Sequence, residues 1–254
     1  MISPLASIHP DARIGENVEI GPFTTISADV EIGEGTWIGP NVTIMDGARI
    51  GAYCRVFPGA VLSAIPQDLK FQGENTTVEI GDRSTIRECV TINRGTKAYG
   101  KTVVGQDCLI MAYVHIAHDC IIGNHVILVN SVALAGHVEI GDYAIVSGLS
   151  AVHQFVKIGA HVMIGGGAMV RKDVPPFITA AGEPLAYAGV NSVGLKRRDF
   201  SQEDINEIQT LYRTLYQSGM NVSQAVNRIK EQYPNRPLAD LILSFIEQSD
   251  RGLI

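Results

Sequence analysis

Aliphatic residues recur at every sixth position along the first two thirds of the chain. Cut into blocks of six from residue 12, the sequence gives ARIGEN, VEIGPF, TTISAD, VEIGEG and TWIGPN, with an aliphatic residue in third place. Of the 29 third positions between residues 8 and 176, 25 are Ile, Leu or Val. A period of six is too short for a helix and a returning strand, but it fits one short strand and a corner. The pattern predicts a parallel β-helix over residues 6 to about 176.

Two other positions of the six-residue block have a character of their own. The first position is small, usually Ala, Val, Thr, Cys or Ser, which suits crowded packing near a corner. The fourth position is often glycine, as at Gly33, Gly105 and Gly159. We interpret these glycines as permitting turn conformations that other residues disfavour.

Two intervals break the repeat. Residues 66–77 would direct Asp68 and Glu74 into an apolar core, and burying unpaired carboxylates costs several kcal/mol. Residues 94–101, with the sequence RGTKAYGK, also depart from the pattern. We predict that both intervals are excursion loops, and long loops on a rigid scaffold are candidates for function.

The composition changes after Pro175 and Pro176. Ser201 and Asp204 fit the start of a helix with a capping box, and the later segments carry apolar residues at helical spacing. We predict a β-helix over residues 1–190 and a small C-terminal helical domain over residues 191–254, with its helices from about 200 to 250. A cap over the open end of the β-helix is the simplest role for this tail.

Charge and cysteine usage narrow the possible functions. The net charge of −6 and the pI near 5.6 argue against nucleic-acid binding, which favours a basic face. No apolar run approaches the roughly 20 residues that span a bilayer, and the first residues lack signal-peptide features. We therefore expect a cytoplasmic protein without integral membrane contact. Cys54, Cys108 and Cys120 share the small first position, so we interpret them as packing residues rather than disulfide or zinc ligands.

The repeat resembles that of the hexapeptide-repeat acyltransferases. The resemblance implies a mostly β fold class, a triangular left-handed parallel β-helix with three six-residue blocks per coil. The left hand comes from the resemblance alone, because parallel crossovers usually prefer the right hand.

Most of the histidines are clustered. His115, His118, His125, His137 and His153 all lie in a short stretch of the chain that ends at position 153. Three blocks per coil stack each residue on the one three blocks later, which places His118 one coil from Gly136 and beside the column of Asp119 and His137. A glycine leaves room for a ligand next to a potential base. Two alternatives stay open: histidines that merely occupy surface corners, and a metal site like that of the γ-type carbonic anhydrases, which share this fold.

Several strings match one family over essentially the whole chain. HIAHDC (115–120), LAGHVEIGD (134–142), AVHQF (151–155), GLKRRDFS (194–201), QDLKF (67–71) and IRECVTINRGT (86–96) resemble the UDP-N-acetylglucosamine O-acyltransferases that begin lipid A biosynthesis. The resemblance implies transfer of a 3-hydroxyacyl chain from acyl carrier protein to the 3-hydroxyl of UDP-N-acetylglucosamine. It also implies a homotrimer with the site between adjacent chains, and neither a cofactor nor a metal.

The roles known in that family fall on residues of this chain. His118 matches the general base, since imidazole can accept a proton near neutral pH, Gly136 matches the oxyanion donor, and Asp119 is a candidate for orienting His118. The positions that match substrate-binding residues are Gln67, Asp68, Lys70, His115, His137, His153, Gln154, Asn191, Arg197 and Arg198, the last three at the nucleotide end. Val193 stands where the family often has an acidic residue, which predicts that one nucleotide contact is missing or replaced.

Acyl-chain selection is assigned to a pair of glycines. Gly166 matches the family's selector of chain length, and Gly148 precedes it by one coil of three blocks, so the two should stack into a groove without side chains. We expect this groove to extend along the helix axis away from His118 and to favour a chain of about fourteen carbons or more, because each buried methylene contributes about 0.8 kcal/mol.

Two other enzymes remain as alternatives. The N-acyltransferases of the same pathway carry an additional N-terminal nucleotide-binding domain, for which repeats that begin at Ala6 leave no room. A γ-type carbonic anhydrase would instead bind metal in proportion to its activity, and metal analysis would distinguish it.

Overall fold

A computed structural model describes residues 1–254 as short strands wound into a three-sided coil. The first sheet contains β1 (Ser7–Ile8), β4 (Thr25–Ile26), β7 (Thr43–Ile44), β10 (Val61–Ala64), β13 (Thr91–Asn93), β16 (His115–Ile116), β19 (Ala133–Leu134), β22 (Ala151–Val152) and β25 (Met169–Val170). The second sheet contains β2 (Arg13–Ile14), β5 (Val30–Ile32), β8 (Ala48–Ile50), β11 (Thr77–Ile80), β14 (Lys101–Val104), β17 (Ile121–Ile122), β20 (Glu139–Ile140) and β23 (Lys157–Ile158).

The third sheet completes the triangle. It contains β3 (Glu19–Ile20), β6 (Trp37–Ile38), β9 (Arg55–Val56), β12 (Thr85–Ile86), β15 (Leu109–Ile110), β18 (Ile127–Leu128), β21 (Ile145–Val146), β24 (Met163–Ile164), β26 (Ile178–Ala181) and β27 (Ala186–Val190). The strands pair in parallel, apart from the antiparallel pair β26 and β27. The predicted parallel β-helix is confirmed.

The strands of consecutive coils are offset by three six-residue blocks. His115 pairs with Ala133, and Ala133 pairs with Ala151. Where the two excursions intervene, the offset grows: Val61 pairs with Thr91, five blocks later, and Thr91 pairs with His115, four blocks later. The three-block coil is therefore correct, and the chain leaves the coil twice and re-enters it in register.

The core of the coil consists of third-position side chains. Ile92, Ile116 and Leu134 lie one above the other and are fully buried. Burying an aliphatic side chain of this size contributes roughly 1.5–3 kcal/mol relative to leaving it exposed. Outside the strands, Asp68 and Glu74 are only partly buried, and each accepts a hydrogen bond from a backbone N–H of its own loop, at 2.9 Å.

The fourth-position glycines do not serve the turn conformations that we predicted for them, so that interpretation is wrong. Gly33 and Gly105 do not have positive φ; a Cβ on either would lie 2.5 Å from the backbone of the next coil. The left-handed conformation occurs two residues later in the block, where residues such as Asp119 (φ 59°) and His137 (φ 62°) adopt it. Glycine is thus required by the close approach of coils, and the turn itself is made by side-chain-bearing residues.

Three corners join the sheets, and we name each by one residue. The His118 corner joins the first sheet to the second, the Tyr143 corner joins the second to the third, and the Gly148 corner joins the third to the first. Residues 65–76 and 94–100 lie outside the strands, and both intervals emerge at the His118 corner. The predicted excursions therefore protrude on the same side of the coil.

Helices follow the last strands: α1 (Ser192–Lys196), α2 (Gln202–Gln217), α3 (Val222–Gln232) and α4 (Pro237–Glu247). The capping box of Ser201 and Asp204 at the start of α2 is confirmed. Tyr212 of α2 is fully buried and its hydroxyl donates to the Pro176 carbonyl at 2.5 Å, which joins the helices to the last coil. None of the helices has the length and apolar character needed to cross a lipid bilayer. The division of the chain at residue 190 stays a prediction.

The C-terminal segment returns to the β-helix. Asp173 is fully buried, and its carboxylate accepts hydrogen bonds from the Ser249 hydroxyl (2.7 Å) and from the backbone N–H groups of Lys157 (2.7 Å) and Arg251 (3.2 Å). The Asp173 N–H donates to the Gly252 carbonyl at 2.9 Å. One buried carboxylate therefore fixes the end of the chain against the last coils.

Candidate active site

His118 and Asp119 form a hydrogen-bonded pair at the His118 corner. The Nδ1–H of His118 donates to Oδ2 of Asp119 at 2.8 Å. The carboxylate is fully buried and the His118 side chain is 10% exposed, so water competes little for this bond. Donation from Nδ1 leaves Nε2 as the nitrogen with a free lone pair. The pair therefore presents an oriented proton acceptor.

The loop of residues 94–100 supplies the other partners of Asp119. Oδ1 accepts from the backbone N–H groups of Thr96 (2.9 Å) and Tyr99 (3.3 Å), and Oδ2 accepts from the Thr96 hydroxyl at 2.7 Å. Burial alone would raise the pKa of Asp119, but the hydrogen bonds from Thr96 and His118 outweigh burial and lower this pKa. The carboxylate therefore stays charged beside the imidazole.

Gly136 stacks against the imidazole of His118, as the three-block coil predicts. A Cβ at Gly136 would lie 2.6 Å from Cε1 and 2.8 Å from Nε2 of His118. A side chain at this position would displace the imidazole, so glycine is needed for His118 to lie here. The Gly136 N–H has no acceptor within the chain. It is thus free to donate to a bound molecule.

His137 lies on the other side of the pair. Its Nε2 is 3.7 Å from Oδ2 of Asp119, and its ring stacks on Phe155 with centroids 4.5 Å apart. Burial lowers the pKa of His137, while the charges of Asp119 and Asp68 act in the opposite sense. Asp68, from the loop of residues 65–76, is thus close enough to influence this corner.

A metal between these groups is not favoured by their distances. His118, Asp119 and His137 bring three ligand atoms within 4.8 Å, a donor set that suits divalent metals. The 2.8 Å between Nδ1 and Oδ2 is nevertheless a hydrogen-bond distance, shorter than the roughly 3.3 Å between two ligands of a tetrahedral zinc ion. The geometry favours a shared proton over a shared metal.

The remaining candidates of the first sheet and its loops lie around the same corner. His115 is on β16, where its Nδ1 lies 2.8 Å from the Thr91 hydroxyl, and burial lowers its pKa. Gln67 and Lys70 are exposed on the loop of residues 65–76. His153 and Gln154 occupy the next coil beyond Gly136, which places them at the end of the corner nearest the helices.

The nucleotide-end candidates lie at a different corner. The Asn191 amide donates to the His161 carbonyl (2.9 Å), its oxygen accepts from the Gly194 N–H (3.1 Å), and this caps α1. The Arg198 guanidinium stacks over the Tyr143 ring at 5.2 Å. Neither Arg197 nor Arg198 has a carboxylate partner. Within one chain, Asn191, Arg197 and Arg198 therefore lie away from His118.

Gly148 and Gly166 stack as predicted, but at the Gly148 corner. The Gly167 N–H donates to the Gly148 carbonyl at 2.9 Å, and a Cβ at Gly166 would meet nothing closer than 3.6 Å. Space for an added methyl group is present at Gly166. Within one chain, however, the two glycines lie across the first sheet from His118, so a groove that runs from His118 requires the Gly148 corner of a neighbouring chain and stays a prediction.

Comparisons with known proteins agree with this arrangement. Residues 29–64 and 101–136 match the bacterial transferase hexapeptide model, and residues 173–254 match the model described as UDP N-acetylglucosamine O-acyltransferase, domain 2. An acyl-[acyl-carrier-protein]–UDP-N-acetylglucosamine O-acyltransferase of Paracidovorax citrulli is 55% identical, covering 99% of this chain and 98% of the relative. One of Janthinobacterium is 48% identical, covering 100% and 99%.

Solved structures give the same result. A UDP-N-acetylglucosamine acyltransferase from Bacteroides fragilis superposes with a TM-score of 0.98 at 52% identity, with 100% of both chains covered. The enzyme from Francisella novicida superposes with a TM-score of 0.96 at 43% identity, covering 100% of this chain and 94% of that one. This chain belongs to the UDP-N-acetylglucosamine O-acyltransferase family. The left-handed β-helix with a small C-terminal helical region is the fold of that family.

Three residues that the sequence did not indicate contact the candidate site residues. Thr96 and Tyr99 donate hydrogen bonds to Asp119. Arg251 donates from Nη2 to the Gln154 carbonyl at 2.8 Å and to Nδ1 of His153 at 2.7 Å. No periodic signal could reveal Arg251, because 98 residues separate it from His153 and only the C-terminal return brings them together.

The Tyr143 corner of this acyltransferase makes stability depend on pH. His161 stacks between Tyr143 (4.9 Å) and Phe177 (5.6 Å). Burial, with a smaller effect of the Arg198 charge, lowers the pKa of His161 from 6.5 to about 4. Between these values the unfolded chain binds more protons than the folded chain. The contribution of neutral His161 to the free energy of unfolding is therefore complete above about pH 6.5 and is lost as the pH falls toward 4.

We predict that His161→Phe reduces the acid sensitivity of folding. Phenylalanine keeps the stack but has no proton to bind, so the fall in melting temperature between about pH 7.5 and pH 5 should be smaller than in the unmodified protein. Thermal unfolding at both pH values measures this, with exposed His9→Phe as the control. An equal fall in both proteins would contradict the role of His161.

Proposed function

We propose that this chain transfers a 3-hydroxyacyl group from acyl carrier protein to the 3-hydroxyl of UDP-N-acetylglucosamine, the first step of lipid A biosynthesis. Family membership over the full chain supports the reaction class. The observation that carries the proposal is the buried His118–Asp119 pair with its free Nε2 beside Gly136. A cytoplasmic location and a mechanism without metal or other cofactor are parts of the same proposal.

His118 acts as the general base. An alcohol is too weak an acid to ionise near neutral pH, so Nε2 takes the proton of the sugar hydroxyl as its oxygen attacks the thioester carbonyl. A carbon–oxygen bond forms and the carbonyl oxygen becomes negative. When this intermediate collapses, the carbon–sulfur bond breaks and the leaving thiolate receives the proton from His118. The sugar keeps the acyl group, and the base returns to its neutral form.

Gly136 and Asp119 stabilise the charges that develop during this transfer. The free N–H of Gly136 donates to the carbonyl oxygen as it becomes negative. The charged Asp119 carboxylate stabilises the imidazolium and keeps Nδ1 as the protonated nitrogen, as in other acid–base pairs of histidine and aspartate. Because Asp119 is fully buried, this interaction is stronger than it would be in water.

The site is completed by neighbouring copies in a homotrimer. His118, the Arg197–Arg198 pair and the Gly148–Gly166 groove occupy three different corners, whereas the sugar nucleotide and the acyl chain must meet at His118 while they contact the other two. The third sheet supports association, since Leu109, Ile127, Ile145 and Met163 form an outward apolar ladder along it. Such a ladder is better buried against a second copy than left in water.

The nucleotide binds at the Tyr143 corner of a neighbouring chain. Arg197 and Arg198 have no carboxylate partners, so their guanidinium groups can make paired hydrogen bonds to phosphate oxygens. Asn191 contributes by fixing α1, because both ends of its amide are already bonded. Val193 is exposed beside them and offers no polar contact.

The alternatives have less support. The relatives of this chain are named O-acyltransferases, which disfavours the N-acyltransferase of the same pathway. The γ-type carbonic anhydrase requires metal ligands, whereas the 2.8 Å contact of His118 with Asp119 favours a proton. An assay of UDP-N-acetylglucosamine with a series of 3-hydroxyacyl carrier proteins tests the proposed reaction directly. No acyl transfer to the sugar nucleotide would refute it.

His118→Ala should lower kcat by roughly 10²–10⁴-fold, the usual contribution of a positioned acid–base group. The KM values should change little, because the proton moves only in the transition state. Steady-state kinetics measure both, with His9→Ala as an exposed histidine control. A kcat within a few-fold of the unmodified enzyme would exclude His118 as the base.

Replacing Arg197 and Arg198 together with alanine should raise the KM for the sugar nucleotide about tenfold or more, because hydrogen bonds to charged groups are lost. The sensitivity of that KM to salt should fall as well. The KM for the acyl carrier protein should stay unchanged, and Lys196→Ala, the adjacent exposed cation, is the control. A defect selective for acyl carrier protein would make this pair a docking site for that acidic partner.

Gly166→Met should shorten the preferred acyl chain. The Met side chain would fill the groove, whereas an empty groove favours each two-carbon extension by about 1.6 kcal/mol, or about 15-fold. Relative rates across an acyl series measure the optimum, which we expect near fourteen carbons or longer in the unmodified enzyme. Gly166→Ala is a graded control, because a methyl group meets nothing closer than 3.6 Å. An unchanged optimum, or equal loss at all lengths, would contradict the role.

A further inference from the structure

The loop of residues 94–100 is folded onto the His118 corner by its own backbone. The Gly100 N–H donates to the Thr96 carbonyl at 2.7 Å, and the Gly95 N–H donates to the Thr77 carbonyl at 3.2 Å. A side chain at Gly95 would collide with the backbone of Lys101. These contacts close a compact turn, and its inner side faces Asp119.

This turn encloses the Asp119 carboxylate with donors. Oδ1 accepts two backbone N–H groups of the turn, from Thr96 and Tyr99, and Oδ2 accepts the Thr96 hydroxyl together with the His118 imidazole. An ionised carboxylate offers about four lone-pair sites. All four are filled in one orientation, so rotation of the carboxylate would break several hydrogen bonds at once.

The Thr96 hydroxyl and the His118 imidazole donate to the same oxygen of Asp119. The hydroxyl is 2.7 Å from Oδ2, and Thr96 is 6% exposed. It also accepts from the Ala98 N–H at 3.2 Å, which directs its own proton toward Asp119. The hydroxyl therefore competes with His118 for the negative charge of Oδ2 and also fixes where that oxygen lies.

We propose that Thr96 is a positioning residue of the acyl transfer: its hydroxyl and backbone N–H hold the Asp119 carboxylate in the orientation that makes His118 the base. This inference rests on the proposed role of His118. It gives the loop of residues 94–100 a catalytic purpose, although the loop need not touch either substrate.

The competing explanation is that Asp119 exists to hold the loop. A buried carboxylate that accepts backbone N–H groups can anchor a turn without any part in chemistry. In that case loss of the Thr96 hydroxyl would lower stability and leave the pH dependence of catalysis unchanged. The two explanations therefore differ in a kinetic property.

The sign of the expected pH effect follows from the charge on Oδ2. Without the Thr96 hydroxyl, that oxygen interacts more strongly with His118 and stabilises the imidazolium, so the acidic limb of kcat/KM moves to higher pH. The other titratable groups that face the pair are His137, Tyr99 and Cys120, with Asp68 acting on His137. They are the same in both proteins, so the difference between the two profiles reports Thr96.

The test compares Thr96→Val with Thr96→Ser in the full-length enzyme. Valine keeps the shape and the backbone N–H but removes the hydroxyl, and we expect kcat to fall about tenfold while KM stays constant and the acidic limb moves up. Serine keeps the hydroxyl and should restore both. Thr36→Val is the matched control, because it removes another buried threonine hydroxyl, which makes two hydrogen bonds with the backbone far from the site.

The outcomes separate this inference from the proposed function. Loss of activity in His118→Ala together with a wild-type rate and pH profile in Thr96→Val would overturn the role of Thr96 alone. Retained activity in His118→Ala would overturn the proposed base and, with it, this inference. A lower melting temperature in Thr96→Val without a shifted limb would identify Thr96 as structural only. If the valine variant does not fold, Thr96→Ala provides the same comparison without a methyl group in the place of the hydroxyl.

Discussion

Hydrogen bonds between the parallel strands of consecutive coils maintain the offset of three blocks, and the positions of the candidate site residues depend on this offset. The offset places Gly136 against His118 and His137 beside Asp119, although one coil of the chain separates the members of each pair. A shift of one residue would turn the aliphatic third positions outward, which the buried core does not allow. The hydrophobic core therefore determines the register, and the register determines the chemistry.

The turn at the corner brings His118 and Asp119 into contact, which a strand could not do. Consecutive residues of a strand point to opposite faces, so His118 and Asp119 would be kept apart if they lay in β16 or β17. Asp119 instead adopts φ 59° at the turn, a conformation that aspartate accepts more readily than most residues. Its carboxylate is thereby directed back toward the imidazole of its neighbour. The most important contact of the site is thus a product of the turn, not of the sheets.

The sequence predicts those features of the fold that follow from local patterns of residues. The coil, the stacked columns, the two excursions and the capping box at Ser201 all depend on local patterns, and the structure agrees with them. The hairpin of β26 and β27 was missed because the repeat ends before it. Thr96 and Arg251 were missed because they reach their partners across 23 and 98 residues, through a loop and a tail that carry no period.

A solenoid of this kind has no interior cavity, because its core is filled by stacked aliphatic side chains. Substrates can only bind on the outside, where a convex corner encloses little of a ligand. A groove of about 990 Å³ does run along the second sheet, but it is lined by residues such as Arg13, Glu31 and Arg49 and by none of the candidate site residues. The two excursion loops form one side of a binding surface at the His118 corner. In the proposed homotrimer, another copy supplies the remaining sides, and this arrangement brings together the His118, Tyr143 and Gly148 corners, which are separate within one chain.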